Sequence, residues 1–566
     1  MLKKKFIVIL FLYISIGVCA QKSVNHLVEI NKVYNILKYS YPIKNFKSFD
    51  WDGLLVDLVD DVIKIDSDSN LVPLLDKYFH PNFDDVFFSE NQIDSLVQKK
   101  CTESFYLYQH KGDGIDAQKV GFYPPSYTTV IEQIEANGTL KYNEIKISEN
   151  LYLYFSFPDN LSKKEYKCQL EIKNAERINS VSYRIATVLK LYNIIQNFHS
   201  TSNYDKTEFD AAYQQVLKDA FTTTSYQDYY YLLNSFTSII NDGHANFFLA
   251  FDIIKGLVGR SVPIYYPMLS TKICNNEIYI NEVDTSYKLL KQNDRILEIN
   301  SMVDSVLINK KMLAVSANTL NHKIYKANEI LLHSFKKDSV LNLKVLRNDS
   351  IFYSEIKTSS GKPFELQKKM QLPLIITVDS FAIIDLTSPK LSKKLIEKNV
   401  DVLNKVKGVI FNLTGYPNYN AADMLAYFTD KPFISPDFIY TKKSGLIFSK
   451  GKAESENWTV KPKGLVKNKY VFISEFTVSW GETLLEMVKN SKIGTVIGLP
   501  SADSNGDILN ITLPIGGFYM SGLMVDRNDE PVGSIQPDIN YELPFGCADN
   551  MPEYIHKAKE LILNEE

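Results

Sequence analysis

The hydrophobic patterning of this chain predicts a multidomain α+β protein that ends in an α/β domain. Three observations lead there. A unit of helical periodicity occurs twice in the first half of the chain. Short alternating runs typical of antiparallel strands separate and follow the two copies. From about Pro373 onward, apolar β-rich runs take turns with segments of helical spacing.

At 566 residues the chain has room for three or four domains, each with its own core. Hydrophobic residues make up 45% and charged residues 23%, ordinary proportions for a globular protein. A formal net charge of -3 supplies no basis for binding nucleic acid or an anionic membrane. Residues 1–20 have the form of a signal peptide. Lys3, Lys4 and Lys5 precede the apolar run Phe6 to Val18, and Val18-Cys19-Ala20 offers a cleavage site before Gln21. The run is too short for a stable membrane span, and no later segment approaches one. Export to the periplasm or the medium is therefore expected. Cys19 raises lipoprotein anchoring as the lesser alternative, since Val18 before it departs from the small residue such sites prefer.

The repeated unit spans about 21–89 and 181–256. Tyr34-Asn35-Ile36-Leu37 recurs as Tyr192-Asn193-Ile194-Ile195, and the same offset carries Trp51-Asp52 onto Phe209-Asp210 and Leu74-Leu75 onto Leu232-Leu233. Each copy is expected to form a helix, a polar loop and two further helices. The second copy ends in Asn241-Asp242-Gly243-His244-Ala245-Asn246. Asp242 has a counterpart in the first copy, whereas His244 has none, which favours chemistry over helix packing for this histidine. His199, at a helix end, is given a structural role, and a lone histidine is in general a satisfied polar residue.

Between the copies, 90–180 is predicted to be an accessory β region, with runs such as Leu151-Tyr152-Leu153-Tyr154-Phe155. Residues 257–360 form a second small β unit, with strands at Glu277-Ile278-Tyr279-Ile280, Arg295 to Ile299 and Leu341 to Arg347 and a helix at Ala327 to Phe335. That order suits a module that docks an extended peptide by strand addition, or a strand pair of ordinary structural role. Of the cysteines after the leader, Cys101, Cys168, Cys274 and Cys547, none has metal-ligand spacing. Cys101 and Cys168 are a candidate disulfide pair, although four scattered cysteines in a large chain are more often buried thiols.

Residues 361–566 hold the α/β domain. Its strands are placed at Phe381 to Asp385, Gly408 to Leu413, Tyr470 to Ile473 and Thr495 to Gly498. After the third comes Phe476-Thr477-Val478-Ser479-Trp480-Gly481-Glu482, then Leu484, Leu485, Met487 and Val488 at helical spacing. A sharp turn from strand to helix lifts Ser479 above the carboxyl edge of the sheet, where the first helix amides can stabilise a negative charge. A nucleophile elbow has this geometry, although its G-x-S-x-G signature is absent. Ser479 and Glu482 also form an S-x-x-E capping box, and local sequence alone favours that reading, since capping boxes far outnumber nucleophiles. Gly415, after the second strand, could bring an N–H to a bound carbonyl beside the Trp480 amide, or be a plain turn glycine.

Taken in order, these segments resemble the C-terminal processing peptidases and tricorn-core proteases, the tail-specific protease superfamily. Asp242-Gly243-His244 matches the family's histidine motif, Asn412-Leu413-Thr414-Gly415 resembles its D-L-R-G segment, and Ser479-Trp480-Gly481-Glu482 matches its nucleophile motif. Ile497-Gly498, Leu513-Pro514 and Ile535-Gln536-Pro537-Asp538 match its tail. The resemblance implies a crotonase-like, ClpP-like protease core, a PDZ-like module and an exported serine peptidase of the tricorn-like Ser-His variant. No lysine stands in Ser501 to Gly506, where the other variant keeps its base. It further implies Ser479 as nucleophile, His244 as base, Glu530 as the residue orienting it, and the Gly415 and Trp480 amides as oxyanion donors. Asn412, Thr414 and Ser534 depart from the family's Asp, Arg and Gly. A peptide or unfolded protein would be the substrate, with no metal or organic cofactor. The alternatives are an inactive peptide- or ligand-binding protein on the same fold and an esterase using the same Ser-His pair.

Overall fold

A computed structural model describes residues 24–564 except 67–68, 94–98, 102–103, 112–116, 119–128, 136–137, 200–203, 255–256, 365–371, 454–458, 527–532, 545–546 and 548–549. The proposed leader and Glu530 lie outside the described residues.

Near the amino end, helices at 24–40, Trp51–Val62 and Val72–Phe79 precede a small sheet. Helices at Val181–Phe198, Lys206–Thr222 and Tyr226–Thr237 follow it in the same order. Side-chain oxygens begin several of them: Asp50, Ser180, Asp205 and Ser225 each accept an amide of the first turn. The first helices of the two copies lie side by side. Asn31 bonds Asn193 at 3.1 Å and Asn197 donates to Asn35 at 2.6 Å. Buried amides paired in this way fix the register of two otherwise apolar helix faces.

Strands at Ser104–Lys111 and Thr129–Glu135, from the stretch between the copies, do not form a sheet of their own. They extend a sheet built on Phe438–Ser444, Gly506–Thr512 and Gly517–Val525, which Asn246–Phe248 also joins. The helical units and this antiparallel sheet share one hydrophobic core, in which Phe198, Phe247, Ile511 and Phe518 are fully buried.

The 257–360 unit is an antiparallel sheet in the order Leu269–Cys274, Glu277–Val283, Arg295–Ile299, Val340–Arg347 and Ser350–Lys357, with helices at Asp304–Met312 and Leu320–Glu329. The second helix begins earlier than its apolar residues suggest, because the Thr319 hydroxyl caps the His322 amide. It ends before Leu331 and Leu332, which pack into the unit's core from the following turn.

The carboxyl-terminal domain is a layered α/β structure. Ala382–Asp385, Val409–Asn412, Tyr470–Ser474, Thr495–Gly498 and Ile539–Asn540 run parallel, with Leu374–Ile376 antiparallel at one edge. Strands buried on both faces are almost wholly apolar, as a covered parallel sheet requires. Helices Lys393–Leu403 and Trp480–Ser491 cover one face and Met551–Asn564 the other. A disulfide joins Cys274 to Cys547, tying the β unit to this domain, and Cys168 is a free thiol. The candidate Cys101–Cys168 pair is therefore corrected for Cys168. Its thiol is occupied by Asp57 Oδ1 at 3.5 Å and the Leu170 carbonyl at 3.4 Å.

Candidate active site

Ser479 ends the turn between strand Tyr470–Ser474 and helix Trp480–Ser491, at φ 53° and ψ −120°. For a residue with a side chain this backbone costs roughly 1–3 kcal/mol, and it persists only when its surroundings impose it. Here they do. Thr477 Oγ1 donates to the Leu413 carbonyl at 2.8 Å, and the Ala502 amide donates to the Thr477 carbonyl at 2.9 Å. The Ser479 amide donates to Glu482 Oε2 at 2.9 Å. Glu482, only 1% exposed, also accepts from Ser501 Oγ at 2.6 Å and from the Ser504 amide and hydroxyl, each at 2.8 Å. Burial pushes its pKa up, against the pull of these donors. Gly481 must be glycine, since a Cβ there would lie 2.8 Å from both the Gly415 carbonyl and Thr477 Cγ2.

The Ser479 hydroxyl lies 3.0 Å from His244 Nε2, across a sequence separation of 235. On the far side of the ring, Nδ1 is 2.9 Å from Ser521 Oγ. Ser521 Oγ donates to Asp242 Oδ1 at 2.8 Å, and the Ser521 amide donates to Asp242 Oδ2 at 2.7 Å. The direct approach of Asp242 to His244 Nδ1 is 4.0 Å, so the serine hydroxyl bridges them. His199 Nε2 closes the far end, 3.3 Å from Asp242 Oδ2.

This chain has one polarity. A carboxylate only accepts, so the Ser521 proton points at Asp242 and the Ser521 lone pairs face the imidazole. His244 then carries its proton on Nδ1, leaving the Nε2 lone pair toward Ser479. Burial holds the His244 pKa below the usual imidazole value, helped by Lys326 and opposed by Asp242. Burial would raise the Asp242 carboxyl, but the His199 hydrogen bond, both imidazoles and the Ser521 amide hold it well below the usual carboxylate range. A neutral base thus faces an alcohol, with an ionised carboxylate behind it.

Gly415, with φ +84°, reaches the same turn and bridges to Thr477. Its N–H is spent on the Phe476 carbonyl. The Trp480 amide is the first of the helix, immediately after Ser479, and its indole Nε1 donates to the Asn418 carbonyl at 3.4 Å. Asn412 and Thr414 stabilise the glycine loop, as Asn412 Oδ1 accepts from the Thr414 amide at 3.1 Å and hydroxyl at 2.7 Å. Sequence reasoning missed Ser521 and gave Asp242 no task. Asp242 was visible beside His244, whereas Ser521 lies in an apolar strand with no local mark. Beside His244 a cavity of about 800 Å³ opens between the helical unit and the β unit, lined by Asn246, Ser270, Asn328 and Glu329 among others. Among the described residues no group of three or more His, Cys, Asp or Glu is placed to hold a metal, and no helix is long and apolar enough to cross a membrane.

The same overall fold recurs among solved structures. In particular the chain resembles mature CPAF, with a TM-score of 0.52, 12% identity, and coverage of 68% of this chain and 98% of that one. Mature CPAF complexed with lactacystin gives a TM-score of 0.53 at 12% identity, covering 68% and 99% of the two chains. The photosystem II D1 C-terminal processing protease matches over 63% of this chain and 92% of its own, at 12% identity and a TM-score of 0.33. No family model matches the sequence. No curated protein matches it either.

Proposed function

We propose that this chain is an exported serine endopeptidase in which Ser479 is the nucleophile and His244 the general base. The observation that carries this reading is the 3.0 Å approach of Ser479 Oγ to an imidazole whose other nitrogen is already held by a hydroxyl and a carboxylate. His244 Nε2 takes the proton as Ser479 Oγ attacks the peptide carbonyl, forming a tetrahedral oxyanion. The imidazolium then protonates the leaving amine and an acyl-enzyme remains, which water hydrolyses by the same steps in reverse roles. Ser521 and Asp242 keep the ring in its Nδ1–H tautomer and stabilise its charge. They fill the place that the family resemblance gave to Glu530. The Trp480 amide at the helix N-terminus suits the oxyanion. Gly415 joins it once the Phe476 carbonyl turns away from the Gly415 N–H. The 257–360 unit, PDZ-like in this reading, borders the cavity that receives the peptide. A likeness in fold to proteases supports the reading, and so does the strained backbone of Ser479.

A fluorophosphonate probe tests it. Wild type should be labelled at Ser479, and Ser479→Ala and His244→Ala should not be. Absence of labelling in folded wild type would leave a binding protein on a protease fold. Cleavage of short acyl esters without casein would point to an esterase instead.

A further inference from the structure

The loop that carries His244 is gripped from outside its own unit. Segment 316–326 of the β unit supplies three groups to it. Ser316 Oγ accepts the Asp242 amide at 2.8 Å. The His322 ring packs on Gly243 so closely that a Cβ there would lie 2.7 Å from His322 Cε1. Lys326 Nζ donates to the Gly243 carbonyl at 3.0 Å, the Ala245 carbonyl at 3.3 Å and the Ser316 carbonyl at 2.7 Å. An ammonium has three protons, and all three are used here on backbone oxygens, two of them flanking His244. The same segment reaches the nucleophile's side, where Asn318 Nδ2 donates to the Asp503 carbonyl at 2.8 Å.

We propose that Lys326 is a positioning residue for His244: its ammonium, delivered by helix Leu320–Glu329 of the β unit, fixes both peptide groups beside the base, so the Ser479–His244 contact depends on this unit being docked. The inference rests on the peptidase reading for its consequence in catalysis, though not for the tether itself. The Cys274–Cys547 disulfide fastens the same unit to the α/β domain. Burial, opposed by the Asp242 and Glu329 carboxylates, holds the Lys326 pKa down to about 8. Its other titratable neighbours change little in that range. His322 is pushed down to about 3 by burial, Lys326 and His244, and His244 itself stays below the usual imidazole value. Burial raises the Glu329 carboxyl, against the pull of the Tyr325 hydrogen bond and the Lys326 charge. Above about pH 8 a neutral amine keeps two protons for three carbonyls, and the grip loosens.

The test uses the full chain with Lys326→Met, read by hydrogen exchange of the 242–246 amides and by the pH dependence of fluorophosphonate labelling at Ser479. Exchange in the variant should be faster by about tenfold or more, and labelling at pH 7 slower by about tenfold or more. Wild-type labelling should decline through about pH 8, and this limb should be missing from the residual labelling of the variant. A role confined to stability would lower the melting temperature and leave the limb in place. Unchanged exchange at 242–246 overturns the tether, and labelling within about twofold of wild type, or an unmoved alkaline limb, overturns the positioning role. Lys326→Gln carries the same expectations where the methionine variant does not fold. If wild type is not labelled at all, the peptidase reading fails, and the exchange comparison still decides the tether.

Discussion

Replacing Ser521 by alanine isolates the bridge between the imidazole and its carboxylate. The Ser521 backbone amide still bonds Asp242 Oδ2 at 2.7 Å, so the carboxylate keeps its place. What disappears is the hydroxyl 2.9 Å from His244 Nδ1 and 2.8 Å from Asp242 Oδ1. The remaining Asp242–Nδ1 separation of 4.0 Å is too long for a hydrogen bond. The Nδ1–H is then buried with its acceptor removed, and the ring loses its preference for the tautomer that faces Ser479. A hydrogen bond coupled to a charged group contributes roughly 1.5–3 kcal/mol, which corresponds to a loss of about 10- to 150-fold in rate. The loss should fall on kcat, because the imidazolium exists only after proton transfer begins, and KM should change little. Fluorophosphonate labelling rates and peptide hydrolysis both measure it. Ser521→Ala working within about threefold of wild type, in protein of unchanged melting temperature, would refute the bridge.

Other expectations follow from the same geometry. His244 is held below the ordinary imidazole value near 6.5, so activity should rise with pH along an acid limb centred below that value. Asp242 stays ionised across this range and adds no second limb, which a pH–rate profile can show. Gly243→Ala would put a Cβ 2.5 Å from Ser504 Cβ and 2.7 Å from His322 Cε1; a loss of roughly 1–3 kcal/mol in denaturant stability and a displaced His244 are expected. Breaking the Cys274–Cys547 link, which closes a separation of 273 residues, should cost about 2–5 kcal/mol in an unfolding titration.

The parts of this molecule legible in the sequence are those whose signal is local. The strand before Ser479 and the helix after it follow from apolar runs, and Leu484, Leu485, Met487 and Val488 are all fully buried where their spacing puts them. His244 stood out because one copy of a repeated unit has it and the other does not. The two accounts of S-x-x-E turn out to be compatible. Glu482 takes the Ser479 amide, as a capping box requires, while the serine hydroxyl reaches His244. Long-range pairing was not legible. Nothing local in Ser104–Lys111 tells that it will pair with Phe438–Ser444, and Cys274 and Cys547 carry no spacing that joins them. The helix expected at Ala327 to Phe335 was misplaced because its cap, Thr319, lies upstream of the apolar residues that drew attention.

Ser521 shows why the third member of the site was out of reach of motif reasoning. Strand Asn246–Phe248, immediately after the histidine loop, pairs antiparallel with Gly517–Val525: Phe248 opposite Gly517, Phe247 opposite Phe518 and Asn246 opposite Tyr519. In the turn just before this strand, His244 lies against Ser521, two residues beyond Tyr519 on the partner strand. Strand side chains alternate between faces, so a slip of one residue would bring Met520 or Gly522 opposite the ring and no hydroxyl at all. The register is held by Phe247 and Phe518, both fully buried in the core shared with the helical units. The hydroxyl beside the His244 ring is thus placed by strand registry between segments far apart in the chain, and that registry is set by apolar packing. Glu530 lies outside the described residues, and the carboxylate that the described residues bring behind His244 is Asp242. That carboxylate comes from the histidine's own loop, and the distant strand contributes the Ser521 amide and hydroxyl that hold it.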